Sequence, residues 1–301
     1  MMKDTFSNMH PFINFIFFAL TIGFTMFIMN PVCLAVSFLC ALVTALYLNG
    51  KKAVRLSLVF LLPMILLIVL VNPVFNHEGM TILTYFPWDN PLTLESIVYG
   101  IASAFLLSST VLWFSSFNAV ITSDKVVFLF GRIMPSLSLV ISMALRFVPR
   151  FSAQMKLVRN AQHTIGRDIN EGTLFQRIRN AVKILSIMIT WSLENAIETA
   201  DSMKSRGHGL KGRTSYSLYK FDKRDAFMLC TILFTGLVLM ILLFTKAIKF
   251  RYYPSIKGDL FTVQSVVFYI FYTFLMLIPL SVNIGAVSYT HLRAHETRGN
   301  L

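Results

Sequence analysis

Charge is scarce in this sequence, and acidic charge is scarcest. Only 14% of the 301 residues are Asp, Glu, Lys or Arg, with 14 acidic against 27 basic. A soluble domain of this length needs far more polar surface to cover its core, so a soluble fold is excluded. Cysteine is rare too. Cys33, Cys40 and Cys230 all fall inside apolar runs without metal-ligand spacing. They read as small packing residues, and no disulfide framework is implied. There is no Gly-rich phosphate loop, no His-Glu-x-x-His helix and no Gly-x-Ser-x-Gly elbow. His10, His77, His163 and His208 are scattered along the chain. Nothing here assembles a metal site or a nucleophile, so an enzyme is disfavoured and no directly bound cofactor is expected. Nucleic-acid binding fails on the lack of a separate soluble domain.

What the chain has in abundance is apolar sequence, 55% of all residues. A membrane-spanning helix needs roughly 20 apolar residues to cross a hydrocarbon layer of about 30 Å. Six runs qualify: 12–29, 32–48, 56–71, 94–119, 227–244 and 263–283. They are continuous and not alternating, which indicates helices and not a barrel. Pro31 and several small residues weaken the second run, and the fourth is expected to be broken or tilted. The first lacks a small-residue cleavage site and reads as a retained span, not a signal peptide. The expected fold is an all-α polytopic membrane protein with about six transmembrane helices.

Basic charge is concentrated in one third of the chain. Residues 123–224 carry seventeen Lys or Arg against seven Asp or Glu. Basic segments flanking spans stay on the cytoplasmic side, so this block belongs inside, with Lys51, Lys52 and Arg55 marking a second inside loop. The 72–91 loop, carrying only Glu78 and Asp89, then lies outside. Lys246, Lys249, Arg251 and Lys257 fall on the outer side of the fifth run. Either they snorkel or a span is miscounted. The expected divisions are N-terminal spans over 1–122, a cytoplasmic region over 123–224, and C-terminal spans over 225–286. Residues 287–301 break the apolar pattern and resemble translated sequencing-adapter read-through, with a genuine polar terminus as the alternative. His291 and His295, at metal-pair spacing in that tail, are discounted.

Two long helices are expected in the basic third, over 134–165 and 174–205, joined by a turn at 166–172 rich in Gly, Asn and Asp. Pro149 should interrupt and kink the first. Beyond it, Met155, Val158, Ala161 and Ile165 fall on one face and Lys156, Arg159 and His163 on another. On the second helix, Glu194, Glu198 and Asp201 share a stripe. Carboxylates so placed suit general acid–base chemistry or a metal, but ion pairing with the surrounding arginines is the favoured reading. Gly207 stops this helix, and Arg206 projects from its end. A guanidinium there can fork onto a carboxylate of another protein or face phospholipid headgroups.

Several of these segments together are similar to the T component of energy-coupling-factor transporters, the EcfT/CbiQ-like family. They are Ser142-Met-Ala-Leu-Arg-Phe-Val-Pro-Arg150, Ala161-Gln162, Trp191-Ser-Leu-Glu-Asn195, Asp201-Ser-Met-Lys-Ser-Arg-Gly-His-Gly209 and Arg213-Thr214. Asn72-Pro73, Gly79 and Leu92-Thr93 in the outer loop add short matches. The likeness extends over about 12–286, and its specific part is 123–225.

The resemblance implies a multi-pass protein of the bacterial cell membrane with two long cytoplasmic coupling helices in an X-like crossing. Each would end in an Ala-Arg-Gly-like motif docked on one of two ABC-type ATPase subunits, which use the ATP. A separate membrane S component would capture a vitamin or metal ion. Carried over by residue, the second motif is Ser205-Arg206-Gly207, with Ser in place of Ala. The first is Thr164-Ile165-Gly166, where the central arginine is missing and Arg167 follows the glycine. Either Arg167 acts from a shifted position or this end docks by apolar contact. Arg146, Pro149, Arg150, Arg159, Gln162, Glu194, Glu198, Asp201 and Met203 would support the coupling helices. Phe- and Met-rich spans suit a surface that accepts and releases an S component, or plain lipid contact. The rival within transport is an ABC permease with its own substrate path. Such a path needs polar groups inside the spans, and only Asn14, Asn283, Thr21, Thr25 and Ser37 are evident.

Overall fold

The computed structural model describes residues 5–85, 90–131, 134–167, 172–210 and 219–299; Asp89, Arg213 and Thr214 therefore lie outside it. Among these residues, ten α-helices account for nearly all regular structure, as expected of an all-α membrane protein. They fall into two compact units, one of residues 1–125 with 219–301, the other of residues 126–218.

In the larger unit, five helical segments are long and apolar enough to cross a membrane: Pro31–Asn49, Lys51–Phe75, Leu94–Val120, Lys223–Phe244 and Val263–Gly285. A shorter apolar helix, α1 (Pro11–Phe27), corresponds to the first run. Pro31 does not weaken α2 (Pro31–Asn49). It occupies the first helical turn, where its missing amide costs nothing, and the Asn30 side chain accepts from the Val32 amide at 3.0 Å. The basic residues Lys51, Lys52 and Arg55 form no loop. Gly50, with φ of +53°, reverses the chain, and they open α3 (Lys51–Leu56). A π-helical turn over Ser57–Leu61 then leads into α4 (Leu62–Phe75). The span Lys51–Phe75 is almost wholly uncovered. By contrast α5 (Leu94–Val120) is one unbroken helix, well buried along its length.

The core joins α1, α2, α5, α9 (Lys223–Phe244) and α10 (Val263–Gly299). Phe17, Phe18 and Trp113 meet edge to face at 5.2–6.4 Å. The Trp113 indole N–H donates to Ser37 Oγ at 3.1 Å, and Ser37 shares a further bond of 2.9 Å with Thr25. Further hydroxyls are buried in the spans, but Ser109, Thr110 and Ser116 donate back to carbonyls of their own helix. These bonds satisfy the three hydroxyls within α5 itself and leave them little polar surface for a path. Lys125, at the start of α6 (Ser123–Gly131), is buried and donates to the carbonyls of Ser7 and Val120, the latter at 2.8 Å. The Asn283 carboxamide accepts from the Phe6 amide at 3.0 Å. These contacts pin the residues ahead of α1 to the bundle.

Two interhelical loops, 76–93 and 245–262, are tied to each other. β1 (Ile82–Tyr85) pairs antiparallel with β2 (Pro91–Thr93), and β3 (Phe250–Arg251) with β4 (Lys257–Gly258). The Met80 amide donates to the Pro254 carbonyl at 3.0 Å, and Asn76 Nδ2 to the Tyr253 hydroxyl at 2.8 Å. Both loops thus occupy one end of the unit. Lys246, Lys249, Arg251 and Lys257 are exposed in or beside the second loop. The backbone of α10 stays helical through Ala286 to Gly299, with no break where the 287–301 tail begins.

Candidate functional site

The smaller unit is built on two long helices. α7 (Pro135–Thr164) starts with a proline in its first turn and continues through Pro149 without interruption. An internal proline removes one amide and crowds one carbonyl, and α7 continues helical on both sides of it. α8 (Leu174–Ser205) opens with a reciprocal cap, Thr173 receiving the Gln176 amide while Gln176 Oε1 accepts from the Thr173 amide at 3.1 Å.

The helices touch midway along both. Trp191 stacks on Phe147 with ring centroids 5.7 Å apart, and Phe151 lies 6.5 Å from the same indole. Met188 and Ile184, one and two turns before Trp191, are the buried residues of α8. On α7 the half-buried positions Met143, Phe147, Phe151, Gln154, Val158 and Gln162 form a helical stripe, with Met155 half-buried beside it. Of the apolar face expected at Met155, Val158, Ala161 and Ile165, the first two are half-buried, whereas Ala161 and Ile165 are exposed. A second stripe on α8, Ile178, Val182, Leu185 and Ile189, is exposed as well. Apolar surface of this extent marks an interaction or membrane face.

Both helices close in the same way. At the end of α7 the Gly166 amide donates to the His163 carbonyl at 2.9 Å, and the Arg167 amide to the Gln162 carbonyl at 2.9 Å. At the end of α8 the Gly207 amide donates to Lys204 at 2.9 Å, and the His208 amide to Met203 at 3.0 Å. Each glycine is left-handed, with φ of +69° at Gly166 and +74° at Gly207. This double bond onto the last turn satisfies carbonyls that the helix cannot. The residue before each glycine, Ile165 or Arg206, is thrust out at the tip, and both are exposed. The 32 residues of α8 put its two ends roughly 48 Å apart at 1.5 Å per residue.

A family model described as CbiQ, cobalt transport protein, matches residues 3–216. The chain belongs to this family, as the T component of an energy-coupling-factor transporter. Relatives named energy-coupling factor transporter transmembrane protein EcfT agree. The protein of Lactobacillus helveticus (strain DPC 4571) is 41% identical over 106 residues, 35% of this chain and 38% of its own. That of Lactococcus lactis subsp. cremoris (strain MG1363) is 33% identical over 106 residues, 35% and 40% of the two chains. That of Lacticaseibacillus paracasei (strain ATCC 334) is 29% identical over 181 residues, 60% and 69%. The chain thus matches about two-fifths of the length of the first two. With the apolar helices above, it is a multi-pass protein of the cell membrane.

In this T component the remaining sequence-derived residues are spread along the hairpin. Arg146, Pro149, Arg150 and Arg159 are exposed on α7, while Gln162 sits on the stripe facing α8. Met203 is half-buried and bonds the closing turn through its carbonyl. Glu194, Glu198 and Asp201 are exposed, and none pairs with an arginine among the described residues. On α8 the positions three and four from Glu194 and Glu198 are uncharged or acidic. Among the described residues, no group of three or more His, Cys, Asp or Glu could hold a metal. Sequence reading missed Phe147, Phe151, Ile184 and Met188 as the contact between the helices. The helical spacing of Ile184 and Met188 to Trp191, and of Phe147 to Phe151, was the available signal.

Proposed function

We propose that this T component is the non-catalytic coupling subunit of an ATP-driven importer. α7 and α8 are its cytoplasmic coupling helices. Two ABC-type ATPase subunits would dock on their tips, and an S component in the membrane would bring a vitamin or metal ion. The observation that carries the reading is the pair of like-closed helix ends, Ile165-Gly166 at the C-terminus of α7 and Arg206-Gly207 at that of α8. Rigid levers with a fixed tip geometry can pass a displacement from one partner to another, which flexible loops cannot.

Three features support a coupler over a permease with its own path. Hydroxyls in α5 are largely satisfied by their own helix. The open cavity between α1 and α9, about 450 Å³, is lined by apolar residues such as Leu20, Phe24 and Met240. The hairpin leaves long apolar stripes for partners. Co-purification of the tagged full chain with ATPase and S components from the same genome tests the reading. A stable complex with two ATPase chains and one S component is expected. Recovery of a well-folded chain alone would overturn it.

A further inference from the structure

α9 closes as α7 and α8 do, but with a lysine in the glycine position. The Lys246 amide donates to the Leu243 carbonyl and the Ala247 amide to the Leu242 carbonyl, both at 3.0 Å. Lys246 is left-handed, with φ of +55°, and is the one such non-glycine among the described residues. A Cβ is costly there, so the surroundings hold the backbone in place. The buried Ser265 hydroxyl fixes the turn by donating to the Ala247 carbonyl at 2.8 Å. Two residues before Lys246, Phe244 lines the open cavity between α1 and α9. Two glycines shape that cavity. At Gly236 an added Cβ would come 3.0 Å from Leu20 Cδ1, so α1 and α9 touch there. At Gly23, one turn beyond Leu20, it would meet nothing within 4 Å. Spread over the roughly 12 Å of α1 from Ala19 to Phe27, a volume of about 450 Å³ is about 7 Å across. A helix with its side chains is wider, about 10–12 Å. Phe27 and Phe244, the last residues of the two helices, line the loop end of the cavity and are exposed.

We propose that this groove holds one acyl chain of an anionic phospholipid whose phosphate is met by Lys246. Width, lining and charge together select the ligand. A groove this narrow and apolar admits an extended hydrocarbon chain but not a partner helix. In a bilayer an acyl chain gains no hydrophobic free energy by leaving its neighbours, so its retention needs packing and a headgroup contact. Lys246 supplies that contact from a fixed backbone beside the groove, and exposed Lys249 adds charge three residues on. Aromatic and basic residues at the end of a span mark the headgroup level. The contact also accounts for a lysine where the other two closures carry glycine. The inference rests on the chain's place in the membrane and is independent of the coupling reading.

The test reconstitutes the full chain in phosphatidylcholine nanodiscs doped with one of two probes. These are phosphatidylglycerol and phosphatidylcholine, each carrying a photoreactive diazirine on an acyl chain. Peptide mass spectrometry compares labelling at residues 19–27 and 240–244 with labelling on Lys51–Phe75, the almost wholly uncovered span, as the bulk-lipid control. The ratio of anionic to neutral labelling should be about fivefold higher at the groove, the worth of one lysine near a headgroup. K246G and K246Q should bring it down to the control value. K246G should nonetheless unfold no earlier than wild type, because glycine adopts a φ of +55° without steric cost. G23L, whose side chain enters open space, should lose groove labelling by both probes. Elution volume and helical content check folding, and the lysine variants decide alone should G23L misfold. A groove ratio equal to the control, or one that survives in both K246G and K246Q, overturns the proposal. So does undiminished groove labelling in folded G23L. Groove labelling that disappears when a purified S component is added also overturns it and gives the groove to that partner.

Discussion

Ile165 and Arg206 hold the same backbone position at the ends of two different helices. Each is the last residue before a left-handed glycine, with φ, ψ of −94°, 18° at Ile165 and −84°, 8° at Arg206. Arg167 instead matches His208, because each is the residue after the glycine and bonds five residues back. The arginine after Gly166 is therefore displaced past the tip and does not substitute directly for the missing one.

Restoring the missing side chain should strengthen the weaker end. Ile165→Arg is expected to tighten ATPase binding about threefold or more, as a charge-assisted pair replaces an apolar contact. Titration of the ATPase pair onto wild type and I165R in nanodiscs measures this. Equal or weaker binding would show that the two tips are not used alike.

The glycines fix where the tip residues point. Gly207→Ala forces a Cβ into left-handed backbone, costing about 1–2 kcal/mol, and brings it 3.0 Å from Leu210 Cδ1. Gly166→Ala carries the same backbone cost with nothing within 4 Å. Thermal unfolding should therefore show similar losses for the two, or a slightly larger one for G207A. Uptake should fall more in G207A, since it misdirects Arg206.

Trp191 holds the hairpin at its midpoint. Trp191→Ala removes its ring contacts with Phe147 and Phe151 and should destabilise that contact by about 2 kcal/mol. Hydrogen exchange in the middle of α7 and α8 would rise, and Trp191→Phe would restore most of the protection. Unchanged exchange in W191A would place the hairpin's stability elsewhere.

The two interhelical loops carry a pH-dependent tie. Tyr253, which accepts from Asn76 Nδ2, has its pKa pushed up to about 12, first by burial and then by Tyr99, Glu78 and Glu95 nearby. The folded state therefore holds this proton more tightly than the unfolded chain, whose tyrosines titrate near 10. The stabilisation is complete below about pH 10 and is lost as pH rises towards 12. Tyr253→Phe should flatten the loss of thermal stability across that window; an unchanged profile would contradict the assignment.

Much of the bundle was legible because its signals are local. Continuous apolar runs located the spans, and Gly207 marked where α8 stops. Local rules also misled where the surroundings decide the outcome. Pro31 looked disruptive but opens a helix, and Pro149 looked like an interruption but lies inside one. The apolar face of α7 was legible only in part: Met155 and Val158 are half-buried, but Ala161 and Ile165 fit an apolar pattern that the partner helix does not cover. The tie between Met80 and Pro254 is long-range in sequence and leaves no periodic trace.

The central claim, that the helix tips transmit ATP-driven motion, is tested most directly by uptake in proteoliposomes. These would hold the chain with its ATPase and S components, and compare wild type with Arg206→Glu at equal membrane insertion. The expected result is ATP-dependent uptake by wild type and its loss in R206E, whose reversed charge costs about 2–5 kcal/mol at a buried docking contact. Normal ATP-dependent uptake by R206E would contradict the account.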